Sequence, residues 1–185
     1  MDQSRGKTAA HFLATLDEHE LAKALREFGD EPDAERIAAA IVAARSERPP
    51  ATTTDLARLI QEATGQEKWR LHPAPGQWTL HPAARSFQAL RILVNRELDS
   101  LEHLLRVLPG CLEAGGRAAI ISFHSGEDRL VKAAFREGVR EGVYAQVSPG
   151  PVRAGPVESL SNPRSRSAKL RVAVKAPSTS ADEAN

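Results

Sequence analysis

The sequence predicts an α/β chain in two parts: a small all-helical region, then one flank of an α/β sheet. Three observations lead there. Residues 8 to about 65 carry apolar residues at helical spacing and contain no strand-like run. Residues 65 to 81 form an irregular, Pro- and Trp-containing connector. Beyond it, short apolar runs of strand length alternate with helical faces.

In the first part, Leu21, Ala24, Leu25 and Phe28 fall on one face of a helix, and Gly29 is placed to end it. Ile37, Ala40, Ile41 and Ala44 form a second face, stopped by Pro49 and Pro50. A third helix is expected from Asp55 to Ala63, capped by Thr53 or Thr54, with Leu56, Leu59 and Ile60 toward the core. In the connector, Trp69 and Trp78 are the only tryptophans of the chain. Either could stack on a base or pin the loop to the domain.

In the second part, Pro82 suits a first helical turn. Phe87, Leu90, Val94, Leu98, Leu101 and Leu105 then continue one apolar face, as one long helix or two in series, with Asp99 and Glu102 resembling a fresh cap at a break. Gly115 and Gly116 turn the chain into a buried strand, Arg117 to Ser122. A helix through Leu130, Val131, Ala134 and Phe135 follows, then a short strand at Val143 to Val147. A last strand runs from Lys169 to Lys175 with Leu170, Val172 and Val174 on one side. These are too few strands for a whole doubly wound domain. Residues 177–185 read as a disordered polar tail.

Composition narrows the function. The net charge of +1 gives no global attraction to nucleic acid, so RNA binding would rest on local patches. A single cysteine, Cys111, excludes a disulfide framework and a multi-cysteine zinc site. No apolar run reaches transmembrane length and the first residues lack a signal-peptide core, which points to the cytoplasm. The six histidines show no metal-ligand spacing, so no metal is expected. There is no G-x-S-x-G elbow, no P-loop and no G-x-G-x-x-G.

Three polar clusters remain. Ser122 to Arg129, Ser-Phe-His-Ser-Gly-Glu-Asp-Arg, follows a strand and opens a helix. Ligands in open α/β sheets lie beyond the carboxyl ends of strands, which makes His124 and Ser125 site candidates. Ser125 could equally cap the helix, with Glu127 and Asp128 complementing its dipole. A second cluster, Asn162 to Arg171, holds Arg164, Arg166 and Lys169, with Arg153 and Lys175 nearby; a basic loop of this kind positions phosphate backbones or is simply solvated. In the third, His81 to Leu90, Arg85 and Gln88 share nearly one helical face close to a helix N-terminus. Arg85, Arg164, Arg166 and Lys169 are therefore the RNA-binding candidates.

These clusters carry a family resemblance. His-Pro-Ala-Ala-Arg-Ser-Phe-Gln-Ala-Leu-Arg-Ile from His81 to Ile92, Ile-Ile-Ser-Phe-His-Ser from Ile120 to Ser125 with Glu127-Asp128-Arg129, and Asn162 through Arg171 resemble segments of the ribosomal RNA small-subunit methyltransferase H family. So do Met1-Asp2, Gly6, Ala9-Ala10 and the Pro50 to Thr54 stretch. The resemblance runs in order to about Ala176. It implies transfer of a methyl group from S-adenosylmethionine to the exocyclic N4 amine of a cytidine in 16S ribosomal RNA of the small ribosomal subunit. It also implies a Rossmann-like methyltransferase domain carrying a helical insertion. Residues 1–80 would be the substrate-recognition insertion with its connector, and 81–176 the C-terminal flank of the methyltransferase sheet.

The family's donor-binding glycine loop and ribose carboxylate lie in a part to which nothing here corresponds, so no cofactor-binding residue is assigned. The chain is expected to need a missing N-terminal half supplied in trans or by a longer gene product. The alternatives are a non-catalytic RNA-binding remnant and a gene fragment without function. Departures from the family pattern stand at Ala84 (usually Thr), Gly126 (usually Leu), and Phe12 and Ala14 (usually Trp and Asn).

Overall fold

The computed structural model describes residues 6–65 and 81–177; Trp69, Trp78 and the tail beyond 177 lie outside them. The chain divides into two compact units, 1–97 and 98–185.

The first unit contains α1 (Ala9–Thr15), α2 (Glu18–Gly29), α3 (Ala34–Glu47), α4 (Thr53–Thr64) and α5 (Ala84–Asn95). Its core is apolar and closed: Leu21, Leu25, Ile37, Ile41 and Ile60 are each at most 1% exposed. The local signals explain the boundaries. Asp17 and Thr52 each form a capping box with the acid three residues on, Glu20 and Asp55. Thr52 is thus the cap of α4, ahead of the expected Thr53 or Thr54, because its hydroxyl accepts from the amide of Asp55. The Arg45 guanidinium donates to the carbonyls of Leu13 and Leu16 at the end of α1.

Gly29 ends α2 for a different reason from the one usual at helix ends. The left-handed residue is Asp30, at φ 47°. A Cβ on Gly29 would lie 2.5 Å from the carbonyl oxygen of Arg85, so glycine is needed for close approach of the α5 backbone. The compact boundary accordingly falls after Glu97 rather than near 80: α5 packs on α2, although composition changes at the connector.

The second unit opens with α6 (Glu97–Val107), which is separate from α5. The break falls at Arg96, φ 51°, and not at Asp99. A 3₁₀ turn (Leu108–Cys111) leads to β1 (Arg117–Ser122), α7 (Ser125–Arg140), β2 (Tyr144–Val147), α8 (Pro156–Ser161), a second 3₁₀ turn (Pro163–Ser167) and β3 (Lys169–Lys175). The sequence reading has neither α8 nor the 3₁₀ turns, which are short and lack a periodic apolar face.

The strands form one sheet in the order β1-β3-β2, with β3 antiparallel to both neighbours. Ala118 of β1, Ala173 of β3 and Tyr144 of β2 pack with Leu105, Val131 and Phe135. Gly138 lies against the Tyr144 ring, where a Cβ would stand 2.4 Å from Cδ2. β1 is not the fully buried strand expected of it. It alternates, with Ala118 and Ser122 buried and Arg117, Ala119 and Ile121 exposed.

Candidate functional site at one end of the sheet

The antiparallel pairing of β1 with β3 sets Ser122 opposite Lys169. The polar segment leaving β1 and the basic segment entering β3 therefore meet at one end of the sheet. Ser122 Oγ lies 3.4 Å from the Lys169 carbonyl to which it donates. Asp128, in the first turn of α7, ties the two segments together. Its carboxylate accepts from Arg171 Nε at 2.7 Å and Nη2 at 3.3 Å, and from Lys169 Nζ at 3.3 Å. The side chains of Asp128 and Arg171 are 14% and 9% exposed. The bond from Arg171 holds the Asp128 carboxyl below its ordinary range; burial opposes this, and Lys169 adds to it.

His124 is the N-cap of α7, displacing the expected Ser125. Its Nδ1 accepts from the amide of Glu127 at 3.3 Å, so the neutral ring carries its proton on Nε2. Glu127 reaches back to the amides of Phe123 at 2.8 Å and His124 at 3.3 Å. The His124 side chain is 7% exposed, with Nε2 3.4 Å from Glu127 Oε1. Gly126 makes room for this arrangement. A Cβ there would lie 3.2 Å from His124 Nδ1 and 3.3 Å from Cε1. Any larger side chain there would press on that ring.

The basic candidates divide by their partners. Arg164 and Arg153 are exposed. Arg166 donates through Nε to the Ser159 carbonyl at 3.0 Å, fastening its turn to α8. Lys169 is held by Asp128. Arg85, in the helical unit, is exposed but donates to the Asp30 carbonyl at 2.7 Å, and Gln88 donates to the Phe28 carbonyl at 3.2 Å. Both satisfy carbonyls at the end of α2. Beside them Ser86 donates to the buried Glu31 carboxylate at 3.1 Å. The His81 to Leu90 segment is therefore first a clamp on α2.

Sequence reasoning did not find the bridging role of Asp128. Arg171, a charge set between the apolar Leu170 and Val172, was the available signal that an acid must meet it. Nor did it find a cleft of about 800 Å³ in the helical unit. Leu13, Leu56 and Phe87 form part of its apolar lining, and Lys7 and Arg91 supply charge. No helix among the described residues is long and apolar enough to cross a membrane.

The model of the MraW methylase family matches residues 1–176. A protein of Acidobacterium capsulatum named ribosomal RNA small subunit methyltransferase H is 47% identical over 175 residues, covering 95% of this chain and 55% of the relative. Proteins of the same name from Geobacter sp. strain M21 and Acaryochloris marina are each 45% identical. They cover 95% and 100% of this chain, and 59% and 57% of themselves. The chain thus spans somewhat over half the length of these relatives.

Proposed function

Because the chain belongs to the MraW methylase family, we propose that it is the RNA-facing and sheet-completing part of an enzyme that methylates the N4 amine of a cytidine in 16S ribosomal RNA, in the cytoplasm. S-adenosylmethionine is the donor in this reading. Its pocket is formed with the portion of the relatives that this chain does not span, supplied in trans or within a longer product. The observation that carries the reading is the convergence of two family-like segments, Ser122 to Arg129 and Asn162 to Arg171, at one strand end through Asp128.

Methyl transfer to an amine needs the donor and the amine aligned in line, and a group or solvent to take the proton. The target base must also leave its stack. In the proposed enzyme, His124 and Ser125 form part of the wall of that site. His124 serves there by positioning, a reading supported by the commitment of its Nδ1 to the helix cap. Arg85, in the helical unit, and Arg164, Arg166 and Lys169, in the sheet unit, are the proposed RNA-binding residues. Arg164, with Arg153, carries most of the phosphate attraction, because Arg166 and Lys169 are engaged internally. The cleft of the helical unit, apolar with Lys7 and Arg91 in its lining, suits an unstacked nucleotide.

The test compares two proteins: this chain, and this chain fused to the unspanned portion of the Acidobacterium capsulatum relative. Transfer of a labelled methyl group to cytidine of 16S ribosomal RNA is measured. The fusion is expected to methylate; the chain alone is expected to do neither that nor bind S-adenosylmethionine in isothermal titration. Micromolar donor binding by the chain alone, or a fusion that folds and leaves cytidine unmodified, would overturn the reading.

A further inference from the structure

The solvent face of α7 carries one sign of charge. Val131, Phe135 and Gly138 form the buried face of this helix. Arg129, Lys132, Arg136 and Arg140 are exposed on the other side. At about 100° per residue the four fall within roughly 80° of arc, and at 1.5 Å per residue the row is about 16 Å long. Exposed Ala133 adjoins the row, and no aromatic residue lies on it.

Helix stability does not explain this row. Only Arg140 stands in the last turn, where a cation steadies the helix dipole, and it pairs with Glu137. Lys132 and Arg136 have no acidic partner among the described residues. The two acids of the first turn are engaged elsewhere, Glu127 in the cap and Asp128 with Arg171 and Lys169. A solvated face ordinarily mixes both signs. The whole chain holds 25 basic and 24 acidic residues, so a row of four cations is a local departure from its composition.

We propose that this face of α7 holds the phosphate backbone of a double-helical RNA segment flanking the target nucleotide. The inference rests on the proposed function for RNA as the partner, and it adds a second contact beyond Arg153 and Arg164. Cations in a row on a rigid helix attract and position phosphates without reading sequence. Single-stranded RNA is gripped by stacking as well as by charge, and this face has no ring to stack on. A duplex presents its phosphates along a regular line and is recognised through them. An anionic membrane is the poorer fit, because the apolar side that a surface helix would insert, with Val131 and Phe135, is closed in the core. Asp128 fixes the first turn of α7 to the candidate site, so the row begins beside that site and leads away from it.

The test is a salt titration of the 185-residue chain binding a labelled RNA duplex of about 20 base pairs. Lys132→Gln with Arg136→Gln is the probe. Lys23→Gln with Arg48→Gln removes the same charge from exposed positions of the helical unit and is the control. Lys132→Arg with Arg136→Lys keeps the charge and separates it from packing. The probe pair is expected to weaken duplex binding about tenfold or more at low salt. It should also lower the slope of log K against log salt by roughly 1.5–2, since about 0.9 is lost with each phosphate contact. The control and the charge-keeping pair are expected to bind as the wild type does. All melt within about 1 °C of one another, as exposed substitutions should. A single strand of the same sequence is expected to bind at least about tenfold more weakly.

Absence of duplex binding at low salt, an unchanged slope in the probe pair, or an equal loss in the control overturns the proposal. So does a charge-keeping pair as weak as the probe, or a single strand held as tightly as the duplex. Vesicles of anionic lipid that bind through Lys132 and Arg136 while the duplex does not would give this face to a membrane instead. Failure here is separable from failure of the function. A methylating fusion, beside duplex binding indifferent to Lys132 and Arg136, refutes the α7 row alone. Duplex binding that depends on them, beside a fusion that leaves cytidine unmodified, refutes the function alone.

Discussion

The helical unit and the sheet unit place their apolar residues differently. In the first, five helices enclose one core in which Leu21, Ile37 and Ile60 have no exposure at all, and side chains such as Arg45, Arg85 and Gln88 satisfy the helix ends. In the second, a three-stranded sheet is packed by helices on its inner face while Ile121 and Val152 stay more than half exposed on the outer one. The inner face is also joined by charge, through Asp128 with Arg171 and Lys169. A closed core is the mark of a unit whose folding information is complete within itself. A sheet with one covered face leaves apolar residues such as Ile121 and Val152 in solvent.

The comparison can be broken by substitution. Ile37→Ala in the closed core should cost the most, about 3–4 kcal/mol, since truncating a fully buried side chain leaves a cavity. Chemical denaturation followed by helical circular dichroism measures it. The same truncation at Ile121, kept in the isolated chain, should cost under about 0.5 kcal/mol. Equal costs would remove the distinction between the units.

Asp128→Ala should cost about 3 kcal/mol, because it strands the Arg171 guanidinium in the inner face without its carboxylate. The pH dependence sharpens this. The folded-state pKa of Asp128 is depressed below 3.8, so its contribution is fully present above about pH 4 and is lost as pH falls through the lower folded value. Acid unfolding of the wild type should therefore remove stability that the alanine variant already lacks, and the two curves should converge below pH 4.

Gly29→Ala should cost about 2 kcal/mol in the helical unit, from the clash of the new methyl with the Arg85 carbonyl. A neutral result in thermal melts would mean that α2 and α5 do not approach as described. A smaller loss than at Gly29 is expected from Thr52→Ala, about 1 kcal/mol, through loss of the cap on α4. Amide exchange should show that loss confined to the first turn of α4.

Much of the helical unit was legible because its determinants are local. Apolar residues three and four apart mark a core face wherever the helix packs, and α2 and α4 follow their stripes closely, while α3 buries Ala34 and Ala38 with Ile37 and Ile41 and leaves Ala40 and Ala44 half-buried. The capping residues were legible only to within one position. Neighbouring threonines at 52, 53 and 54 offer the same hydroxyl, and backbone geometry chooses among them. The break between α5 and α6 was misplaced for a similar reason. Arg96 adopts a left-handed conformation that its residue type does not announce, whereas Asp99 looks like a cap in sequence alone.

The candidate site was legible as segments and not as an arrangement. Ser122 to Arg129 and Asn162 to Arg171 stood out by composition and by likeness to a family. Nothing in either showed that β3 would enter the sheet between β1 and β2, antiparallel to both. That order decides that Lys169 and Arg171 meet Asp128 instead of solvent, and so leaves Arg153 and Arg164 as the exposed members of the basic cluster around the entry to β3.

By itself, the sequence determined the features that depend on neighbours along the chain: most of the helix faces, the strand at Lys169–Lys175 and the membership of a methylase family. Tertiary structure alone decided which side of each strand is covered. Leu170, Val172 and Val174 alternate as a buried face should, yet the inner position went to Arg171 and Ala173. The reason is physical. Alternation divides a strand into two faces, but which face meets a helix is set by contacts between residues distant in sequence, and those form only when the sheet is assembled.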